Sequence, residues 1–401
     1  MIISRKRMLA GATLVVIGGL LALTILPTAQ KLYRVVHFFD ADNIVENFRS
    51  ADLLGDINVM TASSKPRPYP SDAAIELPEG FSFDGQILNT ETFLTDSWTT
   101  GLLVIQDDRI VYERYSLGHS ESTRTISWSM AKSFVSAMIG IAVHEGSIGN
   151  LEQPVDFYAP ELKGSGYESV PIKDVLQMSS GIAFNEDYGD FNSDINRWGR
   201  GFALGSPQDE FAASLTRGRE PGTLNHYVSI DTHVLSMVLR RATGKSITDY
   251  MQEKLYQPLG MEYNGYWLVD GAGKEMALGG LNLTVRDFAK LGSLYLNHGA
   301  LDGRQIVPAN WIAASTVADA PHLQPAEGDF GYGYQWWLPL SDDGEYMAMG
   351  VYSQYIYINP AKNMVVVKLS AKPRYNDSSY VPSSDFSHLA FFRSIDSRGA
   401  D

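Results

Sequence analysis

Cysteine is absent from all 401 residues. That one absence excludes disulfides, thiolate zinc sites and a cysteine nucleophile together. It leaves the compartment open, because a thiol-free chain tolerates any redox poise. Basic excess is missing too. Lys and Arg number 32 against 46 Asp and Glu, a net charge of -14, and no basic stripe interrupts the acidic balance. This argues against a nucleic-acid partner. No Gly-x-Ser-x-Gly elbow occurs, which disfavours the strand-turn-helix nucleophile built on it. His144-Glu145 lacks the second histidine of a zinc-hydrolase helix, and no paired-ligand spacing appears elsewhere, so no metal is expected. Gly279-Gly280 lacks the lysine and serine of a phosphate-cradling loop, and no cofactor is implied. Internal repeats and low-complexity segments are also absent.

What is present begins with a marked N-terminus. Arg5-Lys6-Arg7 precedes Met8 to Pro27, twenty residues without a charge. As a helix at ~1.5 Å per residue, that run spans roughly the 30 Å hydrocarbon core of a bilayer. The basic flank favours an N-in orientation, with everything after it outside the cytoplasm. The expectation is a retained membrane anchor over residues 1–30. The rival is a signal peptide cut after Ala29, which releases the chain to the periplasm. Residues 31–72 read as an arm and a Pro-rich linker. Val35-Val36, Phe38-Phe39, Ile44, Phe48 and Leu53-Leu54 are the arm's candidate contacts, and three prolines between Lys65 and Ser71 block helix and sheet alike. The main domain is expected over 73–395.

Within it, Gly101 to Tyr115 predicts a hairpin turning at Gln106-Asp107-Asp108-Arg109. Helical patterns follow from about Ser129, from Asp231 to Thr243 before Gly244, from Ile247 to Tyr256, and from Leu283 to His298. Tyr352 to Ile358 and Met364 to Leu369 read as the last two strands, joined at Asn359-Pro360. Strands at both ends and helices between them predict an α/β (α+β) body, a sheet flanked by helices with a mostly helical inserted subdomain. Hydrophobic residues at 44% and charged residues at 19% suit one sizeable core.

The helix from about Ser129 is where chemistry is expected. Phe134, Met138, Ile141 and Ala142 recur at three- and four-residue steps, which makes an apolar stripe. Ser129 and Lys132 stand three apart, so they share one face, about 5–6 Å apart at Cβ. A helix N-terminus adds free N–H groups and the positive end of the dipole. Nucleophile, base and a place for negative charge are then together. The spacing alone also describes a serine cap with a solvated lysine. With 37 serines and 13 lysines in the chain, chance supplies about one Ser-x-x-Lys, the risk of any short motif.

Six stretches in order carry more weight: Ser129-Met-Ala-Lys132, Leu176-Gln-Met-Ser-Ser-Gly181, Tyr227-Val-Ser229, Pro258-Leu-Gly-Met261, Leu278-Gly-Gly-Leu281 and Gly331-Tyr-Gly-Tyr-Gln-Trp-Trp337. This set resembles the penicillin-binding-protein and class C β-lactamase-like serine hydrolases over about Ala73 to Phe392. It looks most like their 6-aminohexanoate-dimer hydrolase and esterase branch. The resemblance implies a β-lactamase/transpeptidase-like fold with an antiparallel sheet. It also implies Ser129 as the acylated nucleophile and Lys132 and Tyr227 as the proton carriers, either of which could be the base. The oxyanion hole is expected from the backbone N–H groups of Ser129 and of Val351, after Gly350.

The chain departs from the β-lactamase pattern at two places. Ser229 stands where those enzymes carry asparagine, and Ala348-Met349-Gly350 where they carry Lys-Thr-Gly. The absent lysine removes a charge-assisted bond of about 1.5–3 kcal/mol to an anionic substrate. Arg217, Arg219 and Arg374 are candidate substitutes. The expected activity is therefore hydrolysis of an ester or small amide through an acyl-enzyme on Ser129. A β-lactamase or D-Ala-D-Ala peptidase and a non-catalytic binding protein of the same fold are the alternatives. Tyr188, Glu186 and Asp187, with Ser229 and Gly350, are candidate substrate contacts. Two of Trp128, Trp336 and Trp337 are expected in the core, and His226 is expected to be structural.

Overall fold

Residues 102–105 (Leu-Leu-Val-Ile) and 364–367 (Met-Val-Val-Val) are unbroken apolar runs. A strand with that composition must be covered on both faces. The computed structural model, which describes residues 30, 32–71, 74–373 and 384–395, places both runs at the heart of a seven-stranded antiparallel sheet. Its strands in chain order are β1 (Thr99–Gln106), β2 (Arg109–Tyr115), β3 (Gly331–Tyr332), β4 (Trp337–Leu338), β5 (Tyr346–Gly350), β6 (Gln354–Asn359) and β7 (Met364–Ser370). They lie in the order β3-β4-β5-β6-β7-β1-β2. The last strand thus pairs with the first, Val365 opposite Ile105 and Val367 opposite Leu103.

Alternation along each strand divides two layers. Leu103, Ile105, Val365, Val367, Ile356 and Ile358 face the main core, with the helices. Leu102, Val104, Val366, Tyr355 and Tyr357 face a second cluster, with Phe391 and Phe392 of the C-terminal helix Asp385–Ser394. The three longest of the described helices run through the main core: α1 (Ala131–His144), α2 (Ser229–Thr243) and α3 (Val285–Leu296). Gly244 ends α2 in the left-handed conformation, as its position predicts.

The hairpin forms as expected, with Asp107 and Asp108 both left-handed in its two-residue turn. Elsewhere the structure differs from the sequence reading in instructive ways. The stripe on α1 is buried, but so is every residue from Ala131 to Ala142. The helix runs through the core rather than along its surface. Its Gly140 is the point of closest approach: a Cβ there would stand 2.4 Å from the Trp311 ring. The strand expected from Tyr352 starts at Gln354, because Tyr352 and Ser353 are left-handed (φ 66° and 64°) and make the turn after β5. β5 itself, Tyr-Met-Ala-Met-Gly, has no β-branched residue, and its propensity did not announce it.

A second sheet of four short strands lies beside the helices, in the order Ile57–Met60, Gly265–Leu268, Leu281–Leu283 and Thr125–Ile126. The arm supplies its first strand as well as a short helix, Ile44–Arg49. Phe38, Ile44 and Phe48 are buried in the main core, whereas Val36, Phe39 and Leu53 are exposed. The Pro-rich stretch is tied down by backbone bonds from Ser63 N–H to Met261 O and from Arg67 N–H to Gly260 O, both 2.9 Å. Among the described residues no helix is long and apolar enough to cross a membrane. The run Met8–Pro27 lies outside them.

Alanine is the better helix former by ~1 kcal/mol. Gly140→Ala nevertheless forces the Trp311 ring to move, an overpacking cost of about 1–3 kcal/mol. The variant is expected to unfold at lower urea concentration than the wild type with an unchanged slope.

Candidate active site

Ser129 does not sit inside α1. It lies in a 3-10 turn, Trp128–Met130, that leads into it. Trp128 holds φ at +45°, a conformation that costs a bulky L-residue roughly 1–2 kcal/mol. The turn is fixed from outside. Ser127 N–H donates to Leu281 O at 2.7 Å, so the Leu278-Gly-Gly-Leu281 stretch runs alongside the serine.

Lys132, one turn on, is fully buried, and its Nζ has three neighbours. They are Leu278 O at 2.8 Å, Ser129 Oγ at 3.2 Å and Ser229 Oγ at 3.3 Å. Burial disfavours the ammonium and lowers its pKa from 10.5 to about 7, although Glu186 and Asp231 pull the other way. Ser229 opens α2 and makes a charge-assisted pair with Glu186. Its N–H donates to Oε2 at 2.9 Å and its Oγ donates to Oε1 at 2.5 Å. Tyr188 OH also donates to Glu186 Oε1, at 2.9 Å. Lysine, serine, glutamate and tyrosine thus form one hydrogen-bonded line.

Tyr227 lays its ring 5.3 Å from Lys132 Nζ and stacks on Trp337, with centroids 5.3 Å apart. The end of β5 comes in from the other side. A Cβ at Gly350 would stand 2.6 Å from Ser127 O and 3.1 Å from the Ser129 nitrogen. Only a glycine lets the strand pass this close, and it brings Val351 beside the serine turn.

Ser129, Lys132, Tyr227, Ser229, Glu186 and Tyr188 therefore converge, with Gly350 and Val351 at their edge. Asp187 does not join them. It is exposed, and its carboxylate accepts from Gly189 N–H at 2.8 Å, which shapes its own loop. His226 bonds the Phe184 carbonyl at 3.0 Å. Of Trp128, Trp336 and Trp337, two are expected in the core, but only Trp336 is there; Trp128 and Trp337 are half-buried beside the site. Arg217 is exposed and spends its guanidinium on the carbonyls of Gly166 and Glu168. Arg219 is exposed, and Arg374 lies outside the described residues. Gln335 works behind the site. Its carbonyl accepts from Ser133 Oγ (2.7 Å), its Oε1 accepts from Thr232 Oγ1 (2.6 Å), and its Nε2 donates to Leu176 O (2.8 Å). It joins α1, α2 and the Leu176–Gly181 stretch. Among the described residues no three His, Asp or Glu side chains gather as a metal site.

One group at the site has no sequence signal. Asp231 is fully buried on α2, and Tyr167 OH donates to its Oδ1 at 2.8 Å. Burial pushes its carboxyl up to about 8. An aspartate in the first turn of a helix is usually a solvated dipole partner, and nothing in the residue order separates the two cases.

Known proteins resemble this chain in sequence and fold. Residues 93–381 match the beta-lactamase family model. The 6-aminohexanoate-dimer hydrolase of Paenarthrobacter ureafaciens is 28% identical over 333 residues, 80% of this chain and 84% of that protein. A Bacillus anthracis structure provisionally assigned as a 6-aminohexanoate-dimer hydrolase superposes with TM-score 0.77 at 25% identity. It covers 89% of this chain and 94% of its own. A family VIII carboxylesterase shares the fold at TM-score 0.57 and 18% identity, over 76% and 97% of the two chains.

Between about pH 4 and 8 the folded chain holds the Asp231 proton and the unfolded chain does not. The group's stabilising contribution is complete below its unfolded pKa and is lost as pH rises through the folded one. Asp231→Asn keeps an acceptor for Tyr167 and removes this titration. Urea unfolding at pH 5, 6 and 7 is expected to show the variant losing less stability with rising pH, by on the order of 1 kcal/mol per unit.

Proposed function

The chain belongs to the beta-lactamase family and is a serine hydrolase; on that footing we propose that it cleaves an ester or small amide through an acyl-enzyme on Ser129. The observation that carries this is the buried amine of Lys132, 3.2 Å from Ser129 Oγ with its pKa near 7. A general base works best with a pKa near the working pH.

Hydrogen counting supports lysine as that base. Ser229 gives its own hydroxyl proton to Glu186, so its oxygen accepts from Lys132. Leu278 O accepts a second N–H. A neutral amine has two protons and one lone pair. With both protons committed, the lone pair is left for the Ser129 hydroxyl. As Ser129 Oγ bonds to the carbonyl carbon, its proton passes to Nζ, and the carbonyl electrons move onto oxygen. The N–H groups of Ser129 and Val351 receive that oxyanion. Collapse breaks the bond to the alcohol or amine, and the proton returns to the leaving group through Lys132 or the neighbouring Tyr227. Water then cleaves the acyl-enzyme by the same steps. Each N–H donor is worth about 10²–10³ in rate.

The cations among the described residues support a substrate class. Ala348-Met349-Gly350 offers no cation, and Arg217 is engaged elsewhere. A neutral acyl group fits better than the carboxylate of a β-lactam or D-Ala-D-Ala peptide. The likeness to a 6-aminohexanoate-dimer hydrolase and to a family VIII carboxylesterase supports an amide or ester as the bond cleaved. The basic flank and uncharged run of residues 5–27 support placement outside the cytoplasm behind an N-terminal anchor.

Intact mass of the full-length protein after a fluorophosphonate, a p-nitrophenyl ester and a penicillin tests this directly. One fluorophosphonate adduct at Ser129, ester turnover and no lasting penicilloyl adduct are expected. A long-lived penicilloyl adduct would return the chain to the penicillin-binding class. Ser129→Ala is expected to hydrolyse esters no faster than buffer, and an unchanged rate would end the mechanism. The amine must be neutral to act, so kcat/KM is expected to rise with pH with a midpoint near the Lys132 value of about 7. In Lys132→Arg, which stays charged, the activity is expected to be lost at every pH.

A further inference from the structure

The proposed chemistry makes no use of the arm before the Pro-rich stretch, yet the arm ends on the site. Phe38, Phe39 and Phe48 pack around Trp128, with ring centroids 6.4, 5.8 and 5.4 Å away. Phe39 also lies parallel on Tyr352 at 5.5 Å and 11°, and Phe48 meets the same ring edge-on at 5.0 Å. Trp128 and Tyr352 touch each other at 5.6 Å. These two side chains flank the two N–H groups assigned to the oxyanion. The Ser129 N–H belongs to the peptide that joins it to Trp128. The Val351 N–H lies one residue before Tyr352.

Trp128, Tyr352 and Ser353 all hold left-handed backbone, with φ of 45°, 66° and 64°. Residues this bulky stay there only when their surroundings hold them, and such strain gathers at functional sites. Phe39 is 46% exposed and still lies flat on Tyr352. We propose that the arm is a positioning element of the active site: the cage of Phe38, Phe39 and Phe48 holds Trp128 and Tyr352 in their strained conformations and so sets the directions of the Ser129 and Val351 N–H groups. This rests on the oxyanion assignment made above. The arm is thereby a working part of the enzyme and not a spacer.

Phe39 is the residue to change, because truncating the fully buried Phe48 risks the fold itself. Full-length Phe39→Ala and Phe39→Tyr would be compared with wild type on p-nitrophenyl acetate and butyrate, alongside urea unfolding. A loss of donor alignment appears in kcat and not in binding. Phe39→Ala is expected to lower kcat about ten- to a hundredfold on both esters, with KM and the unfolding midpoint near wild type. Phe39→Tyr, which keeps the stacked ring, is expected to restore kcat to within about twofold. An unchanged kcat in Phe39→Ala overturns the proposal. So does a loss confined to KM that grows with acyl length, because the rings would then be a substrate wall. A wild type that neither turns over esters nor takes a fluorophosphonate overturns the hydrolase assignment, and the arm's role with it. An active wild type with an indifferent Phe39→Ala overturns the arm alone.

Discussion

Taking an ammonium out of water costs several kcal/mol unless the charge is matched or given up, and Lys132 is surrounded by groups that let it give the charge up. Leu278 O and Ser229 Oγ are neutral acceptors at 2.8 and 3.3 Å. The carboxylate of Glu186 is separated from it by the Ser229 hydroxyl, and Asp231 is itself pushed toward its neutral form. A direct carboxylate contact would have pinned the amine as a cation. The site instead keeps the negative charge one hydrogen bond away, which leaves the amine near neutrality in its pKa.

That arrangement constrains much of the body around it. Leu278 comes from the stretch before the third strand of the small sheet, Ser229 from the first turn of α2, Ser129 from the turn before α1, and Gly350 from the end of β5. Gln335 fixes the relative places of α1, α2 and the Leu176 segment with three buried hydrogen bonds. A buried amide of this kind is costly if any partner is missing and stiff when all are present. β5 is paired with β4 on one side and β6 on the other, so Gly350 reaches the serine turn on a supported strand. Rigid support of this sort is what lets backbone donors be preset before substrate arrives.

Much of this was legible in the residues. The hairpin at 107–108, the stop at Gly244 and the strand Met364–Ser370 follow from turn residues and apolar runs. Ser129, Lys132, Tyr227 and Ser229 were singled out by ordered motifs, and Glu186 and Tyr188 by their place after Gly181. What was hidden had physical reasons. β3 and β4 are two residues long and carry no period. β5 lacks β-branched residues. α1 is buried all round, so its stripe understated its burial. Asp231 and Asp187 look alike as letters, yet one is fully buried, where its charge is felt by Lys132, and the other is in solvent.

By itself the sequence determined which groups are available. It supplies a serine and a lysine one helical turn apart, no thiol, no metal-ligand spacing, and no lysine on the strand before Gly350. Chemical identity and short-range spacing are local properties, and the order of residues carries them in full. Only the tertiary structure decided what those groups are. The amine near pKa 7, the carboxylate behind a hydroxyl, the β5 edge against the serine turn and the phenylalanine cage all join residues tens to hundreds of positions apart. Desolvation and hydrogen-bond geometry depend on everything packed within a few ångströms, and no local pattern encodes that distance.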